Sequence, residues 1–174
     1  MSRDPFAAEL RAWFLGRLPE GWFVEPPEIA YDRDEILVVG RLAEPSLPEG
    51  ASEEERQAAC AARIQRFREE TRAQRMRIAS EAEYRFGRKV SWGAACGPIR
   101  QSFTVLSVPV MTRLRLAERQ VLDTLVEAGI ARSRSEALAW CVRLVGRHQA
   151  DWLEELRRAL VRVQELRQAG PNVD

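Results

Sequence analysis

The chain has a single histidine, His148, and a single lysine, Lys89. One histidine offers little for a Ser/His nucleophile, and there is no glycine-rich phosphate loop with its lysine. Catalysis is therefore not expected, and no cofactor is expected either. Cysteine is scarce as well. Cys60, Cys96 and Cys141 are far apart and odd in number, which argues against a disulfide framework and reads as reduced structural thiols. His148 follows Cys141 by seven residues on one helical face, but two ligands do not make a zinc site, so no metal is expected. No run approaches the roughly 18 apolar residues that span a bilayer. The opening MSRDPFAAELRAWF carries acids early and lacks the basic-then-apolar build of a signal peptide. The expectation is a cytoplasmic protein with no membrane partner.

What is present is the material of a globular protein. In 174 residues, 45% are hydrophobic and 30% charged, enough to close a core in one domain or two small ones. The net charge is only +1, yet it is unevenly spread. Residues 1–50 hold 5 basic against 10 acidic side chains, while residues 51–108 hold 11 against 7 and residues 109–148 hold 7 against 4. The last 26 residues return to −1. A basic middle hints at a side that faces a polyanion. Arginine supplies every positive charge but one, so phosphate contacts would be made mostly by guanidinium forks.

The apolar spacing in PFAAELRAWFLGRL predicts an amphipathic helix over 5–18, with Pro5 near its start. Three strand-like runs follow: Trp22–Val24, ended by Pro26-Pro27, then Ile29–Tyr31, and after the turn signal Asp32-Arg33-Asp34 the run ILVVG. Ser52 to Glu55 is a capping box, and the helix it opens is expected to run unbroken to Phe86 and end at Gly87. Cys60, Ile64, Phe67, Ile78 and Ala82 sketch its apolar stripe. RKVSWGAACGPIRQSFTVLSV reads as two strands joined by the CGP turn. The fold class is therefore α+β, with residues 1–108 as an N-terminal block of mixed strands and a long helix, and residues 109–174 as a second unit.

The second unit carries the more specific pattern. In MTRLRL, Thr112, Leu114 and Leu116 share one face of an extended strand, while Met111, Arg113 and Arg115 share the other. AERQVLDTLVEAG then places Val121, Leu122, Leu125 and Val126 on one helical face, with Gly129 as the C-terminal glycine. Ser133-Arg134-Ser135-Glu136 has the order of a second capping box. The helix behind it spaces Leu138, Cys141, Val142 and Val145 at i, i+3, i+4, i+7. A last amphipathic helix carries Trp152, Leu153, Leu156, Leu160, Val163 and Leu166, a stripe suited to core packing or to a twin helix.

Residues 110–147 resemble the ribbon-helix-helix family of DNA-binding proteins, of MetJ and Arc type, in TRLRLAERQVLDTLVEAG and in the turn GIARSRSEALAWCV. The resemblance implies a homodimer in which two strands pair as an antiparallel ribbon and enter the major groove of double-stranded DNA. It assigns base contacts to Met111, Arg113 and Arg115. Phosphate contacts fall to Ser133, Arg134 and Ser135 at a helix N-terminus. The dimer core would be Leu114, Leu116, Leu122, Leu125, Leu138, Cys141, Val142 and Val145. The function implied is transcriptional regulation, with the N-terminal block free to meet an effector or a protein.

One departure from the family, and one other stretch of the chain, open other readings. The unit is internal and preceded by FTVLSVPV, which could pair with the basic strand within one chain, although Pro109 interrupts that run. The helices could then serve only oligomerisation, with a protein as partner. Basic and aromatic residues also interleave in YRFGRKVSW, where Arg85, Arg88, Lys89 and Trp92 form a candidate patch for RNA or ribosome association.

Overall fold

The computed structural model describes residues 5–169 and divides between Pro109 and Val110 into two compact units. In the first, helix α1 (Pro5–Arg17) precedes strands β1 (Glu28–Tyr31) and β2 (Glu35–Arg41). Helices α2 (Glu53–Glu70) and α3 (Arg72–Phe86) lead to β3 (Lys89–Cys96) and β4 (Ile99–Ser102). The four strands form one sheet in the order β1-β2-β3-β4. Both outer pairs are antiparallel, and β2 runs parallel to β3 because the two intervening helices carry the chain back across the sheet. The fold is α+β.

The register explains the core. Val38 lies opposite Trp92, and Gly40 opposite Ala94, so Ile36, Val38, Trp92, Ala94 and Cys96 share one sheet face. Against it stand Leu10 and Phe14 of α1, Cys60, Ile64 and Phe67 of α2, and Ile78 and Ala82 of α3. Rings meet edge to face, with Trp92 at 6.2 Å from Phe14 and 6.3 Å from Trp22. Arg17 grips Glu81 by two hydrogen bonds of 2.5 and 2.6 Å, tying α1 to α3.

Local chemistry sets the element ends. Asp32 accepts hydrogen bonds from the backbone N–H groups of Asp34 and Glu35, both at 2.8 Å, and closes the β1–β2 turn. Those bonds hold the Asp32 carboxyl below its ordinary range. At α2, Ser52 Oγ accepts from the Glu55 N–H, and the Glu55 carboxylate accepts from the Ser52 N–H, so the expected capping box is complete. Gly87 ends α3 with φ 68, a left-handed conformation that glycine adopts without cost.

Two expectations need correction. Trp22–Val24 is not a strand; one bond from Val24 N–H to the Arg41 carbonyl (2.9 Å) ties it to the sheet edge. Its Phe23 ring lies flat against Gly40, where a Cβ would come within 2.1 Å of the ring, so the run acts as a cover. The helix over 53–86 is not continuous either. It breaks at Thr71, whose hydroxyl donates to the Phe67 carbonyl at 2.5 Å. Thr71 and Arg75 stand where the apolar stripe through Ile64, Phe67, Ile78 and Ala82 would have continued. The break lets the buried Arg75 guanidinium find oxygen: Nε donates to Thr71 Oγ1 at 2.9 Å and Nη2 to the Arg68 carbonyl at 2.7 Å. The same guanidinium sits 4.8 Å from the Phe103 ring centre. Burial, with Arg68 and Arg72 near by, lowers Arg75 to about 10, so it remains a cation at neutral pH.

The second unit holds α4 (Leu116–Glu127), α5 (Arg134–His148) and α6 (Ala150–Ala169). Among its described residues Leu122, Ala131 and Ala137 are buried, with Leu114, Leu125, Val126, Leu138 and Cys141 packed partly buried around them.

Candidate nucleic-acid interface

Residues 104–115 run without helix or sheet pairing, so the basic segment and FTVLSVPV do not pair with each other within the chain. The segment is nevertheless anchored at one point. Leu114 packs on the Leu122 core, and its carbonyl accepts a 2.7 Å hydrogen bond from Arg119 Nη1, one turn into α4. The Glu118 carboxylate accepts from the Arg115 N–H at 2.5 Å and fixes the start of the helix. Leu114 therefore points to the helices, while Met111, Arg113 and Arg115 are exposed, Met111 by 96%.

Leu116 departs from the expected alternation. It is the first residue of α4, where the side-chain period changes from 2 to 3.6, and it is exposed instead of facing the helices of its own chain. Leu122 is buried, and Leu125, Leu138 and Cys141 are half-buried beside it. Val142 and Val145 share the expected helix face but stand open on the single chain.

The turn between the helices is closely specified. Gly129, at φ 73, donates to the Val126 carbonyl (3.0 Å), and Ile130 donates to the Leu125 carbonyl (3.0 Å), the paired bonds of a Schellman ending. Ser133 caps α5 by accepting from the Glu136 N–H at 3.2 Å. The reciprocal half of the expected box is redirected, because the Glu136 carboxylate accepts from the backbone N–H of Arg132 (2.8 Å) and from its Nε (3.1 Å). The Arg132 bonds hold Glu136 below its ordinary range. Arg134 is also engaged: it makes a bidentate pair with Asp123 of α4 at 2.6 and 2.7 Å. That hydrogen bond lowers the Asp123 carboxyl and raises Arg134. Ser135 is exposed beside them.

Between the 110–114 segment and the start of α5 lies a shallow hollow of about 360 Å³. Val110, Met111 and Leu138 supply its apolar lining, and Arg119, Arg134 and Ser135 its polar lining. Of the three residues expected to meet base edges, Met111 lines this hollow beside the α5 N-terminus, whereas Arg113 and Arg115 do not; its cations are Arg119 and Arg134. Sequence reasoning missed Arg119 and Asp123. Arg119, four residues beyond Arg115, was a helix-face partner to the strand end. Asp123 and Arg134 are eleven residues apart across a turn, a pairing that periodicity within one helix does not disclose.

The second patch does not assemble. Trp92 is 2% exposed and packs in the core, so no base can stack on it. Arg85 donates to Glu9 at 2.7 Å, Lys89 to Glu83 at 2.7 Å, and Arg88 stacks 4.1 Å over the Phe6 ring. Trp140 is half-buried on α5. Among the described residues no group of three or more His, Cys, Asp or Glu side chains could hold a metal, and no helix is long and apolar enough to cross a membrane.

Comparison with known proteins divides the chain in a similar way. Residues 8–102 match the N-terminal domain of Rv1265-like protein, and residues 115–167 match the Mb1296 C-terminal domain. The chain is 54% identical over 172 residues to the uncharacterized protein Rv1265 of Mycobacterium tuberculosis strain H37Rv, covering 99% of this chain and 74% of that one. The same figures hold for the uncharacterized protein Mb1296 of Mycobacterium bovis. No solved structure matches the chain. With the N-terminal match spanning most of the first unit and the relatives aligned along nearly all of this sequence, the chain belongs to the Rv1265-like family.

Proposed function

We propose that the protein is a homodimeric regulator that binds duplex DNA through a ribbon-helix-helix unit formed by residues 110–148 of two chains. One observation carries this reading: a segment that joins no sheet presents Arg113 and Arg115 outward while Leu114 anchors it to a helix pair with a small core of its own. A lone strand with free backbone groups gains its hydrogen bonds by pairing with a second copy. Two such strands fit the major groove, where an arginine can donate to guanine O6 and N7. Val142 and Val145, open on the single chain, then close against the partner. Ser133 and Ser135 meet phosphate at the α5 N-terminus, and Arg134 does so by exchanging its Asp123 bond.

The test is fluorescence anisotropy on a mixed-sequence duplex, titrated with salt from about 50 mM, where counterion release makes affinity fall linearly on logarithmic axes. Arg113→Ala combined with Arg115→Ala is expected to weaken binding to that duplex and to flatten its salt dependence. No duplex binding at low salt, or an unchanged affinity for the double variant, overturns the reading.

The bidentate Arg134–Asp123 pair favours a second reading, in which the helices only oligomerise and the partner is a protein, since it occupies a side chain that DNA would need. A pull-down with and without nuclease separates the two. RNA association through YRFGRKVSW loses Trp92 to the core, which leaves Tyr84 as the exposed aromatic residue of that stretch.

A further inference from the structure

Two thiols meet inside the first unit. Cys60 faces inward from α2, and Cys96 ends β3. Their Sγ atoms are 3.0 Å apart, and both cysteines are free and buried. Sequence reasoning treated them as separate, since they stand 36 positions apart. The parallel β2–β3 pairing and the helix layer bring them together. The surroundings hold them there: Gly97, at φ +53, turns so closely past Cys60 that a Cβ would stand 3.2 Å from its Sγ. Cys96 Sγ has a further contact at 3.9 Å with the Ala43 carbonyl.

The pair is chemically unequal. Burial and the adjacent Cys60 push Cys96 up to about 12, so it stays protonated at neutral pH. Cys60 instead lines a hollow of about 200 Å³, formed by the 44–51 loop and Arg56, which is wide enough for a water-sized oxidant. One thiol therefore has access and the other waits behind it.

We infer that Cys60 and Cys96 are a peroxide-oxidisable pair that closes to an intramolecular disulfide. Cys60 thiolate attacks one oxygen of hydrogen peroxide, the O–O bond breaks, and water leaves after protonation, with Cys60 as sulfenic acid. Cys96 sulfur then attacks Cys60 sulfur, the S–O bond breaks, and the Cys96 proton departs with the second water. Two thiols and one peroxide yield one disulfide and two waters; both sulfurs are oxidised and both peroxide oxygens reduced. The sulfurs need to approach by only about 1 Å to reach a bond of about 2.05 Å. The bridge then fastens α2 to β3 across a long loop, which restricts the unfolded chain.

The experiment uses the full chain, freed of reductant and treated with stoichiometric hydrogen peroxide, then alkylated while denatured. Before alkylation the intact mass is expected to fall by about 2 Da, the two hydrogens lost, and after it the chain should carry an adduct on Cys141 alone. Non-reducing tryptic mapping should join peptide 57–63 to peptide 90–100, while the 135–143 peptide bearing Cys141 stays alkylated. Tm should rise by more than about 10 °C and return on adding dithiothreitol. In Cys96→Ser, which keeps the attacking thiol, a 1,3-dione probe should label Cys60. The inference is overturned if Cys60 and Cys96 remain alkylatable at peroxide levels that oxidise Cys141, or if either links to the 135–143 peptide instead.

Discussion

Phe14, Ile36, Ile64 and Ile78 are closed off from solvent, whereas Val121, Val142 and Leu160 are more than half open. The first group belongs to the unit that ends at Pro109, the second to the unit that begins at Val110. Both stretches hold a helix opened by a serine cap, Ser52 in the first and Ser133 in the second, so capping does not separate them. The difference is what each stripe meets. In the first unit a sheet presents Val38, Trp92 and Ala94 to helices on one face, and the apolar residues satisfy one another. In the second, three helices and the segment before them bury Leu122, Ala131 and Ala137 alone among the described hydrophobic residues. About 60 residues without a sheet supply little core on their own, and such units are commonly completed by oligomerisation.

That contrast can be broken most severely at Phe14. Phe14→Ala empties the centre of the first core and should cost about 3–5 kcal/mol, read by chemical denaturation. It should leave the association of the second unit unchanged at temperatures where the protein stays folded. Val142→Asp asks the converse. On a lone chain this residue is 65% exposed, so the change should be nearly neutral. Covered by a second copy it buries a charge, and the dimer should weaken by about 2 kcal/mol or more in sedimentation equilibrium.

A smaller effect is expected inside the first unit at Thr71→Val, which keeps the shape and removes the hydroxyl that accepts from Arg75 Nε. Leaving that buried donor unpaired should cost about 1–3 kcal/mol in a denaturant melt. The smallest concerns Asp123. Its folded carboxyl lies below the ordinary 3.8 because Arg134 donates to it. The pair therefore contributes above that value and is lost as pH falls through the lower, folded one. An NMR titration should find the Asp123 midpoint below 3.8, and Arg134→Ala should bring it back up toward that value.

Much of the fold was legible because it is written in periodicity and punctuation. ILVVG, the CGP turn, Gly87 and Gly129 mark elements whose ends depend on neighbours in sequence. Trp22–Val24 misled because aromatic residues suit both a strand and a cover for glycine. Thr71 and Arg75 did carry a signal, two polar residues in an apolar stripe, but their meaning rests on freed carbonyls and the Phe103 ring. In the candidate interface, Leu114 and Gly129 could be read directly. The Arg134–Asp123 pair and the start of α4 at Leu116 could not, since both follow from how two helices and a strand end meet in space. The contact of Cys60 with Cys96 was hidden for the same reason.

The account turns on whether a second chain covers the open faces of residues 110–169. Size-exclusion chromatography with multi-angle light scattering, at micromolar concentration and without DNA, measures this directly. The result expected is a mass twice the 19.9 kDa of the chain, reverting toward one copy in Val142→Asp. A wild-type mass of one copy across that range would contradict it.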